Sequence, residues 1–229
     1  MKYSVIIPTY NRLDLLQVCL TSIIKYTPDL QEKFEVIIVS NGCADGTAEF
    51  VKSLNAEKEI FKVVYWNKPI GYAKAINMGI AVSRGEYLIL LNNDCQILAS
   101  DWIELLEEPF LKYKNVGLSG PAGWDRTNIP WLIFFCVMIK RELITEIGYL
   151  SEEYGLGGGE DTEYCLKAYY KGYTNYMVPL KSGGLKLKGT KRTRLFPIYH
   201  AGGSTCNTIE EMPSITKRNT ERLELLFGP

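Results

Sequence analysis

The stretch Glu86-Tyr87-Leu88-Ile89-Leu90-Leu91-Asn92-Asn93-Asp94 constrains this chain more than any other. Its apolar run has the length of a strand buried on both faces, and it stops at two amides and a carboxylate. Such strands belong to parallel sheets covered by helices. Their carboxyl ends deliver side chains into the crevice where open α/β sheets bind ligands. Asp94 therefore falls at a crevice floor, where a hard cation or a phosphate-bearing ligand could meet it. A plain Asx turn opening a loop is the other reading of the same residues.

The flanking sequence repeats the theme. Residues 2–7 read as a buried strand closed by Pro8-Thr9-Tyr10-Asn11, and residues 13–26 carry apolar side chains at helical spacing. Residues 34–39 and 62–66 are further strands, and a helix follows Gly71 to about residue 83. The turn-rich run after the second strand, Ser40-Asn41-Gly42-Cys43-Ala44-Asp45-Gly46-Thr47, also supplies helix-capping residues. Strand and helix in alternation predict a doubly wound, mostly parallel sheet. The second half is less regular. It offers helices at 102–112 and from 141, an extended piece at 117–120, and an apolar strand at 131–139. Gly157-Gly158-Gly159 leads into a helix opened by Glu160-Asp161, and an amphipathic helix at 216–227 closes the sequence.

With 229 residues and no clear linker, the expectation is one domain. Within it the pattern divides into a regular first hundred residues, a less regular stretch at 101–205, and a helical tail at 206–229. A formal net charge of zero gives no global argument for nucleic acid or membrane. Six cysteines without CxxC or zinc spacing suit reduced thiols. Together with an N-terminus that enters a strand without a signal-peptide pattern, they make a cytoplasmic location the expectation, with no transmembrane segment.

Four features occur in a fixed order: Ile-Pro-Thr-Tyr-Asn-Arg ending the first strand, Ser-Asn-Gly-Cys-Ala-Asp-Gly-Thr after the second, Asn-Lys-Pro-Ile-Gly-Tyr-Ala-Lys-Ala-Ile-Asn before the Asn92-Asn93-Asp94 strand, and Gly-Gly-Gly-Glu-Asp opening a helix. As an ordered set they resemble the family 2 glycosyltransferases, inverting enzymes with a GT-A fold, over nearly the whole chain. The resemblance implies a Rossmann-like, mostly parallel α/β sheet flanked by helices, with a small antiparallel region on the acceptor side. It places Pro8, Thr9, Tyr10 and Arg12 around the nucleoside, Asn41 at the base, and Gly71 and Asn77 in the segment closing over the nucleotide. Asn92, Asn93 and Asp94 occupy the Asp-x-Asp site, where Asp94 would hold Mn²⁺ or Mg²⁺ with His200 as a further ligand. Glu160-Asp161 is the catalytic acid pair, with Asp161 matching the general base.

Two positions depart from the family pattern. Asn41 stands where a base-binding aspartate is usual, and Asn92 replaces the first acid of Asp-x-Asp, so metal affinity should lean on Asp94, the diphosphate and His200. The implied activity is sugar transfer from a nucleoside diphosphate donor, with UDP the expected nucleotide. A nucleotidyltransferase on a related sheet and a nucleotide-sugar-binding module without catalysis are the alternatives. The first lacks an early glycine-rich triphosphate loop. Residues 181–194 hold six basic side chains and no acid. They suit a solvated loop, a clamp on the donor diphosphate, or a contact to a polyanionic acceptor such as a teichoic acid, a lipid-linked glycan or modified DNA. Trp124, Trp131, Phe134 and Phe135 are candidates for an acceptor platform, with core packing the favoured reading of Phe134 and Phe135.

Overall fold

Two apolar layers, one on each face of a twisted sheet, organise the elements. The structure is a computed structural model that describes residues 1–57, 59–121, 131–179, 196–202 and 210–228. The first half runs β1 (Tyr3–Thr9), α1 (Leu13–Tyr26), α2 (Leu30–Lys33), β2 (Phe34–Asn41), α3 (Thr47–Glu57), β3 (Phe61–Trp66), α4 (Tyr72–Val82) and β4 (Tyr87–Leu91). It continues with β5 (Cys95–Ile97), α5 (Trp102–Lys112), β6 (Val116–Pro121), β7 (Cys136–Lys140) and α6 (Arg141–Ile147). After a short 3-10 turn at Glu152–Tyr154 come α7 (Glu160–Tyr170), β8 (Thr174–Val178), β9 (Ile198–His200) and α8 (Met212–Phe227).

Side chains alternate across a strand, so one strand feeds both layers. Val5 and Ile7 of β1 pack with Leu16, Cys19 and Ile23 of α1 and with Trp102 of α5. Ile6 of the same strand faces the other way, into a layer with Ile76 and Ile80 of α4 and Tyr164 of α7. β1, β2 and β4 are buried throughout, as strands covered on both faces must be.

The described sheet has the order β3-β2-β1-β4-β7-β6-β8. β3, β2, β1 and β4 are parallel, so the expectation of a mostly parallel first half holds. β7 runs antiparallel to both β4 and β6, and β8 lies parallel to β6. A small antiparallel pair, β5 with β9, sets Cys95 opposite His200. Pro8 is tolerated inside β1 because pairing with β4 covers only Tyr3 to Ile6, so its missing N–H falls beyond that ladder.

Two boundaries differ from the sequence expectation. The apolar run at 131–139 enters the sheet only at Cys136; before that the Ile133 N–H reaches the Pro121 carbonyl and the Leu132 N–H reaches the Cys165 thiol. The closing helix begins at Met212 rather than Thr216, because Pro213 sits in its first turn, where no N–H is needed. The basic stretch at 181–194 and Trp124 lie outside the described residues. Among the described residues no helix is long and apolar enough to cross a membrane.

Candidate active site

The carboxyl ends of β1, β2 and β4 meet, and polar side chains knit them together. Asn11 and Arg12 adopt left-handed backbone at φ 55° and 60°, turning the chain out of β1 into α1. The Asn11 side chain accepts the Ala44 N–H at 2.8 Å, and Asp45 accepts N–H groups from Leu13 and Thr47, joining this turn to the loop after β2. Asn93 donates to the Thr9 hydroxyl at 2.9 Å, which ties the end of β4 to the end of β1. Pro8 is buried, Tyr10 is half-buried, and Arg12 holds Asp14 through two contacts while lying within electrostatic reach of Asp94.

Other expected nucleotide contacts have partners inside the protein. Asn41 is 7 % exposed; its Oδ1 accepts the Ile70 N–H at 2.8 Å and its Nδ2 donates to the Gly71 carbonyl at 3.4 Å. As placed, it braces the turn before α4 rather than facing a base. Asn77 was expected over the nucleotide; its amide instead bonds the Leu150 backbone in both directions and donates to Glu152, fastening α4 to the segment before the glycine-rich loop. Asn92 is different, because its buried Oδ1 has no hydrogen-bond partner among the described residues.

Asp94 and His200 come together through the β5–β9 pair. His200 Nε2 lies 3.2 Å from Asp94 Oδ1, and the imidazole stacks on Phe135 with ring centroids 4.3 Å apart. Ligand atoms of Asp94, Cys95 and His200 lie within 4.8 Å of one another. Burial pushes the Cys95 thiol up, and it bonds the Phe135 carbonyl at 3.3 Å, so it remains a thiol. A carboxylate and an imidazole then form the accessible donor set, and it fits a divalent cation.

The second acid centre opens α7. Asp161 Oδ1 accepts the Thr162 N–H at 2.8 Å and the carboxylate also lies near the Phe134 backbone. Burial nevertheless pushes Asp161 up, and it pushes Glu160 up with help from the Asp161 charge beside it. Glu160 is 7 % exposed and its Oε2 has no hydrogen-bond partner among the described residues. The pair therefore favours sharing a proton, with Glu160 the neutral member. The raised pKa has a consequence for stability: above the ordinary carboxylate range the folded chain binds more protons at this site than the unfolded chain, so stability is lost as pH rises. Glu160→Gln should remove the Glu160 share of that loss. Its melting temperature should gain on wild type progressively as pH rises from the ordinary carboxylate range, and parallel curves would remove this account of Glu160.

A dipeptide that sequence reasoning assigned to the core joins the two centres. The Phe134 carbonyl accepts the Tyr72 hydroxyl at 2.7 Å, and the Phe134 backbone lies close enough to Asp161 to favour the ionised carboxylate. Phe135 stacks on His200, and its carbonyl accepts the Asn92 N–H at 2.8 Å. Both residues are buried, as expected of core aromatics, yet their backbone and rings also link the end of β4 and His200 to Tyr72 and the start of α7. Tyr72 was missed altogether; its position directly after Gly71 was the available signal.

Residues 4–155 match the family described as Glycosyl transferase family 2. The chain belongs to the family 2 glycosyltransferases. Among relatives, an uncharacterized Sinorhizobium fredii protein, y4gI, is 28 % identical over 77 % of this chain and 23 % of its own length. The glycosyltransferase AglE of Haloferax volcanii is 34 % identical over 44 % of this chain and 33 % of its own. The chain thus spans a third or less of the length of these relatives. In fold, this family 2 glycosyltransferase is similar to the mannosyltransferase PcManGT of Pyrobaculum calidifontis, solved with GDP-Man and Mn²⁺, at a TM-score of 0.66 and 22 % identity over 78 % of this chain and 55 % of that one. It is also similar to S. aureus TarS solved with UDP-GlcNAc, at a TM-score of 0.57 and 20 % identity over 80 % of this chain and 60 % of that one. These likenesses establish the GT-A fold of the chain.

Proposed function

We propose that the site moves a sugar from a nucleoside diphosphate donor, UDP-linked, to an acceptor hydroxyl with inversion at the anomeric carbon. The observation that carries this reading is the Phe134-Phe135 link, which touches Asp161 at one residue and His200 and Asn92 at the next. A donor lying across that link would have its diphosphate toward Asp94 and its anomeric carbon toward Asp161. PcManGT and TarS, solved with nucleotide sugars, support a donor of this class. The proposal treats residues 1–229 as one domain, with the donor held by the first hundred residues.

The acceptor oxygen forms a bond to the anomeric carbon as the bond from that carbon to the diphosphate oxygen breaks. The acceptor proton passes to Asp161, and the electron pair leaves with the nucleoside diphosphate. Asp161 lies in the first turn of α7, where the helix favours its ionised form against the effect of burial. Asp94 and His200 would hold Mn²⁺ or Mg²⁺. When bound, that ion supplies positive charge beside the departing diphosphate. Arg12 extends the positive field on the same side.

The test is release of nucleoside diphosphate from UDP-GlcNAc, UDP-glucose and GDP-mannose, with Mn²⁺ or with EDTA. Metal-dependent release supports the reading; tight donor binding without release from any of them favours a binding module. Asp94→Asn should weaken Mn²⁺-dependent UDP binding about 10–100-fold or more by calorimetry, since altering even the outer partners of a metal site commonly costs that much. Equal UDP affinity in Mn²⁺ and EDTA for wild type would remove Asp94 from the metal role.

A further inference from the structure

We propose that α8 takes part in catalysis through Asn219, a positioning residue that holds the glycine-rich loop so that Asp161 faces the acceptor. Asn219 is the one buried side chain of α8 among its described residues, 2 % exposed, in a helix whose Leu225 and Leu226 point to solvent. A polar side chain buried from an otherwise exposed helix needs a reason, and its contacts provide one. Its Nδ2 reaches three carbonyls of one loop: Tyr154 at 3.1 Å, Gly157 at 3.0 Å and Gly158 at 2.7 Å. Its Oδ1 accepts from both Nε and Nη2 of Arg218, which orients the amide with its N–H groups toward the loop.

The loop requires such a holder. Gly155, Gly157, Gly158 and Gly159 all have positive φ, from 65° to 142°, a backbone that glycine adopts freely and gives up as freely. Asp161 follows two residues after the last of them. Other contacts hold the same loop from two sides. The Tyr72 N–H reaches the Leu156 carbonyl at 3.3 Å, while Gly159 packs against the Tyr154 ring and Leu223 of α8. The inference rests on the transferase reading above, because only there does the direction of the Asp161 carboxylate set a rate.

The experiment compares the wild-type chain with Asn219→Asp, which keeps the shape and loses the donors, with Asn219→Ala, and with Leu225→Ala as an exposed control on the same helix. Hydrogen exchange across residues 154–163 reads the loop, and release of nucleoside diphosphate from the best donor with Mn²⁺ reads turnover. Both Asn219 variants should exchange about tenfold faster in this segment, with β1 and β4 unaltered. Their kcat should fall about 10–100-fold at a KM for donor little changed, and Leu225→Ala should match wild type. Unaltered loop exchange overturns the inference, as does a loosened loop with wild-type kcat. Wild type that releases nothing from any donor refutes the transferase reading instead, before any variant is compared. Loop exchange then still decides whether Asn219 holds the loop.

Discussion

Asp161→Asn should lower turnover about 10²–10⁴-fold while Mn²⁺-dependent UDP binding stays within about twofold of wild type. The amide is isosteric and can still accept the Thr162 N–H that caps this turn, so the loop and helix keep their arrangement. What disappears is the acceptor of the proton. Burial has raised Asp161 above the usual aspartate range, so wild-type turnover should fall on the acid side through a correspondingly raised pKa. Turnover falls there because the protonated acid cannot take the acceptor's proton. The variant should show no such limb. Single-turnover release from a saturating donor, followed across pH, measures both; a loss below about tenfold would remove Asp161 from the role of base.

Gly71→Ala should be strongly destabilising. Gly71 has φ 88° and ψ 169°, a region closed to side chains, and a β-carbon there would lie 1.9 Å from the Gly155 carbonyl oxygen. Backbone strain and overpacking each cost about 1–3 kcal/mol, so the sum is about 2–6 kcal/mol. For a chain of this size that is a fall of roughly 4–24 °C in melting temperature. Gly148 provides the control, with φ 84° and nothing within 4 Å of an added β-carbon. Gly148→Ala should show the strain alone. If the two variants melt together, the close approach of the 70–71 turn to the glycine-rich loop has been misjudged.

Much of this was readable in the residues themselves. The unbroken apolar run of β4 and its polar ending locate the centre of the sheet and the floor of the site, because burial on both faces permits no alternation. The glycines before Glu160 announce a backbone that only glycine adopts. Other features left no local trace. An apolar run does not encode strand direction, so nothing in Cys136-Val137-Met138-Ile139 says that β7 opposes its neighbours. The resemblance puts Asn41 at a base and Asn77 in the segment over the nucleotide; only tertiary packing shows that their amides bond the Ile70 and Leu150 backbone. Asn219 was invisible for a similar reason, since a polar residue in an amphipathic helix ordinarily faces water.

The reversed course of β7 has a mechanical meaning. Its entrance, not its exit, adjoins the end of β4, so the gap between the proposed leaving-group side and the proposed acceptor side is gauged by neighbouring peptides of one rigid ladder. In a transferase made this way, peripheral segments that choose the acceptor could be exchanged without recalibrating the reaction, whereas a register slip between β4 and β7 would spoil both ends at once.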